Sequence, residues 1–211
     1  MSADAVDRRV VREFWDYKSR QERTRWTSEQ MLEFELAYLR ELAPSPAAIL
    51  DLGSGHGELS RPLSGAATRL VAVDFAGACA RSFTQPDHEF VEASVTEFDT
   101  SERFDLVLLF GVVTSVDEAD ELPLYRKMAS WLADDGTAVV KNQCALDAEF
   151  VATGYSTELG AEYSGRYPLA ENQASRLRQA FATVEPRAYP ERFNAWRNSA
   201  HFAFVCRKSP T

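Results

Sequence analysis

Asp51, Gly53, Gly55 and Gly57 stand at every second position in the stretch ILDLGSGHGELS, and they are the first residues of the chain whose spacing suits chemistry. Ile49 to Leu52 has the apolar character of a buried strand, and the chain after Gly57 resumes as a helix. A glycine-rich turn from strand to helix leaves backbone amides pointing outward and lets a ligand come close to the main chain. Asp74 follows Gly53 by 21 residues, at the end of the next apolar run. Doubly wound nucleotide-binding folds carry a carboxylate there to accept hydrogen bonds from ribose hydroxyls. A dinucleotide turn would read G-x-G-x-x-G, but position 58 is Glu58, which argues against an NAD-dependent oxidoreductase. Asp51 would bring negative charge toward a pyrophosphate, whereas it suits a cation.

Three histidines are available as acid or base. His201 opens the last apolar run and, because histidine titrates near neutrality, is the candidate base; the alternative is an imidazole satisfied by the turn before it. His56 lies within the glycine turn as a ligand contact or an exposed residue, and His88 reads as surface. Cys79, Cys144 and Cys206 are odd in number and lack metal-ligand spacing, as expected of unpaired packing thiols in a reducing cytoplasm. No metal is expected. The 23 Lys and Arg against 32 Asp and Glu give a net charge of −9, which repels phosphate backbones and anionic membranes. No apolar run approaches bilayer-spanning length, and the N-terminus lacks a secretory signal. A cytoplasmic protein with a small-molecule partner is expected, and a homodimer stays open.

The elements that must position these residues are legible in the hydrophobic pattern. Val10, Phe14 and Tyr17, then Leu32, Leu36 and Leu39, recur at helical spacing, with Thr27 and Gln30 resembling a capping box and APSPA ending the second helix. Five runs, AAILDLG, RLVAVDF, HEFVEA, FDLVLLFG and GTAVVKN, then read as strands buried on both faces and separated by helical stretches. Leu124, Met128, Ala129 and Leu132 make the helical stripe before the fifth. ATVEPRAY and AHFAFVCRK add a terminal hairpin. The expected fold is α/β, a doubly wound, seven-stranded, mostly parallel sheet with an antiparallel last strand and an N-terminal helical lead. Residues 143–172 break the alternation and are rich in Tyr and Glu.

ILDLGSGHGELS, LVAVDF, FDLVLLFGVVTSV and LADDGTAVVKN together resemble the successive motifs of the class I S-adenosylmethionine-dependent methyltransferases, from about Ile49 to Asn142. The resemblance implies a single methyltransferase domain over 1–211, with a helical cap at 1–46, a cofactor-binding core at 47–142 and a substrate-side insertion and hairpin at 143–211. It implies S-adenosylmethionine as cofactor, with Asp51, Gly53, Ser54, Gly55 and Gly57 around the methionyl part, Asp74 on the ribose and Phe75 against the adenine. The family often supplies an Asp to the adenine amino group after the third strand; Ala93 and Ser94 stand there, so Ser94 and Val95 take that role. Phe110 and Gly111 complete the cofactor set, and Arg20 of the helical lead meets the methionyl carboxylate.

Substrate contacts are expected from Tyr17 and Trp26 of the lead, from Tyr155, Tyr163 and Tyr167 of the insertion, and from Trp196 and Phe193 of the last turn. For the tyrosines a half-buried packing loop is an equal alternative. After the fourth strand the chain reads FGVVTSV, without the Pro-Pro-aromatic signature of nucleic-acid amino methyltransferases and with Gly111 where catechol-type enzymes place a metal-binding Asp. The implied reaction is O- or N-methylation of a small polar metabolite such as a sugar, nucleotide-sugar or secondary-metabolite intermediate. An amino-acid-like or aromatic acid acceptor, or a non-catalytic subunit that binds the cofactor, are the alternatives.

Overall fold

A computed structural model describes residues 6–20, 28–43, 45–46, 48–156 and 160–208. Seven strands form the main sheet: β1 (Ala48–Leu52), β2 (Arg69–Asp74), β3 (His88–Glu92), β4 (Phe104–Phe110), β5 (Leu132–Ala145), β8 (Thr183–Ala188) and β9 (Ser199–Arg207). Their spatial order is β3-β2-β1-β4-β5-β9-β8, with β9 antiparallel to both neighbours and the rest parallel. The order reverses between β1 and β4, which opens a crevice beyond their carboxyl ends.

Strand alternation sorts the core into two layers. Leu50, Leu52, Val107, Leu109 and Phe204 face α4 (Glu118–Trp131) and α5 (Ala170–Leu177), against Tyr125, Met128, Trp131 and Leu177. Ile49, Leu106, Leu108, Val139 and Ala203 face the other way, toward α2 (Glu29–Leu42) and the one-turn α3 (Ser60–Leu63).

The structure departs from the sequence expectation in three places. The β2–β3 connection is a 3-10 segment, Gly77–Ser82, and β3 joins β4 without a helix, so the alternation is less regular than the runs implied. α2 is capped by Ser28, whose hydroxyl accepts from Met31 N at 3.2 Å, and its buried stripe is Met31, Glu35 and Leu39: Leu39 is buried as expected, while Leu32 and Leu36 are half-buried one step away from Met31 and Glu35. The Tyr-rich insertion forms a second, two-stranded sheet, β6 (Phe150–Ser156) paired antiparallel with β7 (Ala161–Tyr167), which packs on α1 (Arg8–Ser19).

Candidate active site

The glycine turn is held by the next strand. Gly53 N and Ser54 N both donate to the Val73 carbonyl, at 2.7 and 3.1 Å, and Gly53, Gly55 and Gly57 have φ of 70°, 53° and 72°, a region only glycine enters at little cost. A side chain on Gly53 would also collide with Val112, and one on Gly57 with Arg61 and Phe83. The crowding at these two glycines therefore comes from the protein itself. Asp74 ends β2 with both oxygens aimed back at this region: Oδ2 accepts from Gly55 N and Oδ1 from Ala76 N, each at 2.9 Å. Burial raises its pKa, while the two backbone donors pull the other way.

A cavity of about 370 Å³ opens above this turn, a size typical of small-molecule sites. It runs from Asp51, Gly53, Ser54, Gly55, Glu58, Asp74 and Phe75 past Ser94, Val95 and Glu97, under Phe110, Gly111 and Thr114, to Lys141, Gln143 and His201. Gly111, at φ 72°, is fixed by its N–H to the Lys141 carbonyl at 2.9 Å. Ser94 hydrogen-bonds Thr96 through their hydroxyls at 2.9 Å. His201 sits on β9 opposite Gln143, its N–H donating to Asn194 Oδ1 and its carbonyl accepting from Tyr189 N.

α1 and the β6–β7 hairpin cover the cavity. Arg8, Val11, Arg12, Trp15 and Ser19 line it, a single helical face. Trp15 Nε1 donates to Ser115 Oγ at 3.2 Å, Arg8 reaches Asp117 and Asp120, and the Arg12 guanidinium lies 5.4 Å from the Phe75 ring centre. Tyr163 and Tyr167 enter from β7 with their hydroxyls 2.9 Å apart, and Tyr163 meets Phe14 edge to face. Burial, with the neighbouring Tyr167, pushes the Tyr163 phenol far up, so it stays protonated at neutral pH. Gly165 makes this possible: a Cβ there would strike the Tyr163 ring.

Several sequence expectations need correction. Tyr17 is 54% exposed, because it lies about 200° around the helix from Trp15. Arg20 is exposed at the end of α1 and does not line the cavity. Tyr155 is 63% exposed; it pairs with Glu162, one residue out of step with Tyr163 and so on the other hairpin face. Trp196 is 53% exposed, and Phe193 packs in the core with Tyr189 and Phe34. Gly57 supports the turn from behind and is not a wall residue. Trp26 lies outside the described residues. His56 is neither exposed nor a wall residue: its Nε2 meets the Ser19 carbonyl and its Nδ1 the Ser82 hydroxyl, both at 2.9 Å, tying α1 to the turn. His88 is buried against Ser64.

Other residues went unnoticed. Thr114 and Glu97 carry no motif. Glu35 did leave a signal, a carboxylate four residues from Met31 and from Leu39 on an apolar helix face. Among the described residues no three His, Cys, Asp or Glu gather as metal ligands, and no helix is long and apolar enough to cross a membrane.

S-adenosylmethionine fits this site on the chemistry of the donors. Asp74 has acceptor capacity beyond its two backbone donors for ribose hydroxyls. Asp51, Glu58 and Glu97 suit a cationic ligand.

Comparison with known proteins places this geometry. Residues 22–205 match the family model described as a methyltransferase domain. No curated protein sequence matches the chain. Among solved structures, the Burkholderia thailandensis 1,6-didemethyltoxoflavin-N1-methyltransferase, with its substrate and S-adenosylhomocysteine bound, superposes with a TM-score of 0.74 at 22% identity, covering 95% of this chain and 88% of that one. The N-methyltransferase NodS from Bradyrhizobium japonicum, bound to S-adenosylhomocysteine, gives 0.65 at 19% identity over 92% and 97%. The sugar N-methyltransferase KedS8 from Streptoalloteichus gives 0.62 at 18% identity over 91% of each chain. The chain belongs to the methyltransferase-domain family and is a class I S-adenosylmethionine-dependent methyltransferase.

Proposed function

We propose that the chain methylates an N or O atom of a small polar metabolite, such as a sugar, nucleotide-sugar or secondary-metabolite intermediate, with nitrogen favoured. One observation carries this reading: a single covered cavity joins the glycine turn and Asp74 at one end to His201, Tyr163 and Tyr167 at the other. S-adenosylmethionine, when bound, supplies an electrophilic methyl group on a sulfonium. The protein's part in such a displacement is alignment, exclusion of water and acceptance of a proton where the nucleophile needs to lose one. Asp74 holds the ribose, and Phe75, Ser94 and Val95 bound the adenine. Asp51, Gly53, Ser54 and Gly55 surround the methionyl end, with Phe110 and Gly111 beside them. His201 takes the acceptor's proton. Tyr163, protonated, orients the acceptor as a donor with Tyr167. Nitrogen is favoured because an amine needs only to be neutral and because the three neighbours named above are N-methyltransferases.

The test is calorimetric titration with S-adenosylmethionine, S-adenosylhomocysteine and NAD, repeated on Asp74→Ala, followed by labelled-methyl transfer to amine and hydroxyl acceptors. Binding of the first two, lost in the variant, with turnover of an amine, is the expected result. Binding of NAD alone, or of none, would sink the reading, and cofactor binding without turnover of any acceptor would favour a non-catalytic subunit.

A further inference from the structure

Along the sheet side of the cavity the charge is uneven. Over β1, β2 and the end of β3 the wall carries Asp51, Glu58, Asp74 and Glu97, while over β5 and β9 it carries Lys141, Gln143 and His201. α1 adds Arg8, beside Asp117 and Asp120, and Arg12, over Phe75, so Lys141 is the cation on the His201 side. Lys141 and His201 lie on one sheet face as diagonal neighbours, since Gln143 pairs with His201 and Lys141 with Ala203. Behind Lys141 stands Glu35 of α2, with Nζ 3.7 Å from Oε1, and the Tyr189 hydroxyl donates to that same oxygen at 3.1 Å. The Tyr189 ring centre is 5.9 Å from Lys141 Nζ and 6.0 Å from the His201 ring centre.

A buried ion pair is weak evidence for stability. Glu35 is fully buried and Lys141 is 5% exposed, and replacing such a pair by well-packed apolar residues is often neutral or stabilising. Apolar residues, such as Met31 and Leu39 beside Glu35, would fill the same space more cheaply. What the cluster does achieve is a cation kept at the cavity wall with its counter-ion behind it. A protein of net charge −9 repels anions at long range, so an anionic acceptor needs such a local cation. β5 is two strands from β1, about 10 Å across the sheet, a span that one ring of a metabolite bridges.

We propose that Lys141, positioned by Glu35 and Tyr189, is an anion subsite for the methyl acceptor. The acceptor carries an oxygen anion, a carboxylate or an enolate-type oxygen, that takes a hydrogen bond from Lys141 Nζ and presents the nucleophilic atom toward His201 and the methyl donor. This rests on the methyl-transfer reading and names its substrate class. The nitrogen lone pair forms the new bond to carbon, the sulfur keeps the electrons of the bond that breaks, and the nitrogen's proton leaves to His201.

The experiment compares shape-matched probes, 4-hydroxybenzoate with 4-hydroxybenzamide and 4-aminomethylbenzoate with 4-aminomethylbenzamide, by ligand-observed NMR on the full chain with and without S-adenosylhomocysteine. The anionic member of each pair should bind about tenfold or more tightly, the scale of one charge-assisted hydrogen bond. In Lys141→Met the preference should fall to parity, and in Lys141→Arg it should partly return. Because Lys141→Met strands a buried carboxylate, Lys141→Met/Glu35→Gln gives the same reading if the single variant does not fold. Equal binding within each pair, or a preference that survives in the folded variant, would overturn the subsite. S-adenosylhomocysteine affinity is read in the same titrations, so its failure falls on the methyl-transfer reading while the probe preference still decides the subsite.

Discussion

At the residue scale, Asp74 shows how a single carboxylate is prepared for a ligand. Burial raises its pKa above 3.8, so the folded protein holds this proton to higher pH than the unfolded chain does. Stability from this group is therefore greatest below the unfolded pKa and declines as pH rises through the window up to the folded value. In the role proposed for Asp74 ligand binding has the opposite sign, because ribose hydroxyls would donate to the ionised form. S-adenosylhomocysteine affinity should fall as pH drops into that window, with a proton released on binding, and calorimetry from pH 7 downward should find both effects absent in Asp74→Asn. A second residue-scale prediction concerns Gly53. Alanine there must adopt a left-handed backbone, at about 1–2 kcal/mol, and must also displace Val112. Chemical denaturation of Gly53→Ala should therefore register at least that loss, together with weaker cofactor binding as the turn shifts.

At the element scale, α1 behaves as a cover held at several points. His56 and Arg81 grip the Ser19 carbonyl at its end, Trp15 meets Ser115 midway, and Arg8 meets Asp117 and Asp120 at its start. The Arg8 contacts are exposed and worth little, whereas His56 is buried and its loss removes the shorter of the two side-chain bonds to the Ser19 carbonyl, leaving that from Arg81. His56→Ala should raise hydrogen exchange in residues 14–19 and speed S-adenosylhomocysteine release by about fivefold, the effect of about 1 kcal/mol. His201→Ala exchange in that segment should match the unmodified chain. The sequence made the strands, their mostly parallel sense and the glycine turn legible because apolar runs buried on both faces, and glycines where φ is positive, leave strong residue signals. It did not reveal which side of α1 faces the cavity. Val10, Phe14 and Tyr17 share an apolar stripe, but the cavity takes Val11, Trp15 and Ser19, a choice made by the hairpin that packs on Phe14. Tyr155 was misread for a related reason: composition does not carry hairpin register, and one residue decides which face a side chain occupies.

At the scale of the whole molecule, the hairpin belongs to the site and not to the main sheet, so something other than ladder hydrogen bonds must fix it. Its anchor is a second buried ion pair, Arg166 of β7 with Glu121 of α4, and the Tyr125 hydroxyl donates to Glu121 at 3.1 Å. Burial lowers the Arg166 pKa, the signature of a cation held away from water. Removing one partner strands the other, so Arg166→Met should cost about 3–5 kcal/mol in urea denaturation, whereas Arg166→Met/Glu121→Leu should recover most of it. The recovery separates ion-pair strength from specificity. If the pair acts to set hairpin position, the double variant will be stable yet will exchange hydrogen faster in β6, β7 and α1 together, and cofactor release will quicken with it. A double variant that is stable and keeps native exchange in all three elements would mean that the Phe14–Tyr163 contact and the Asp7 N–H to Ser164 Oγ bond, at 2.9 Å, hold the cover unaided.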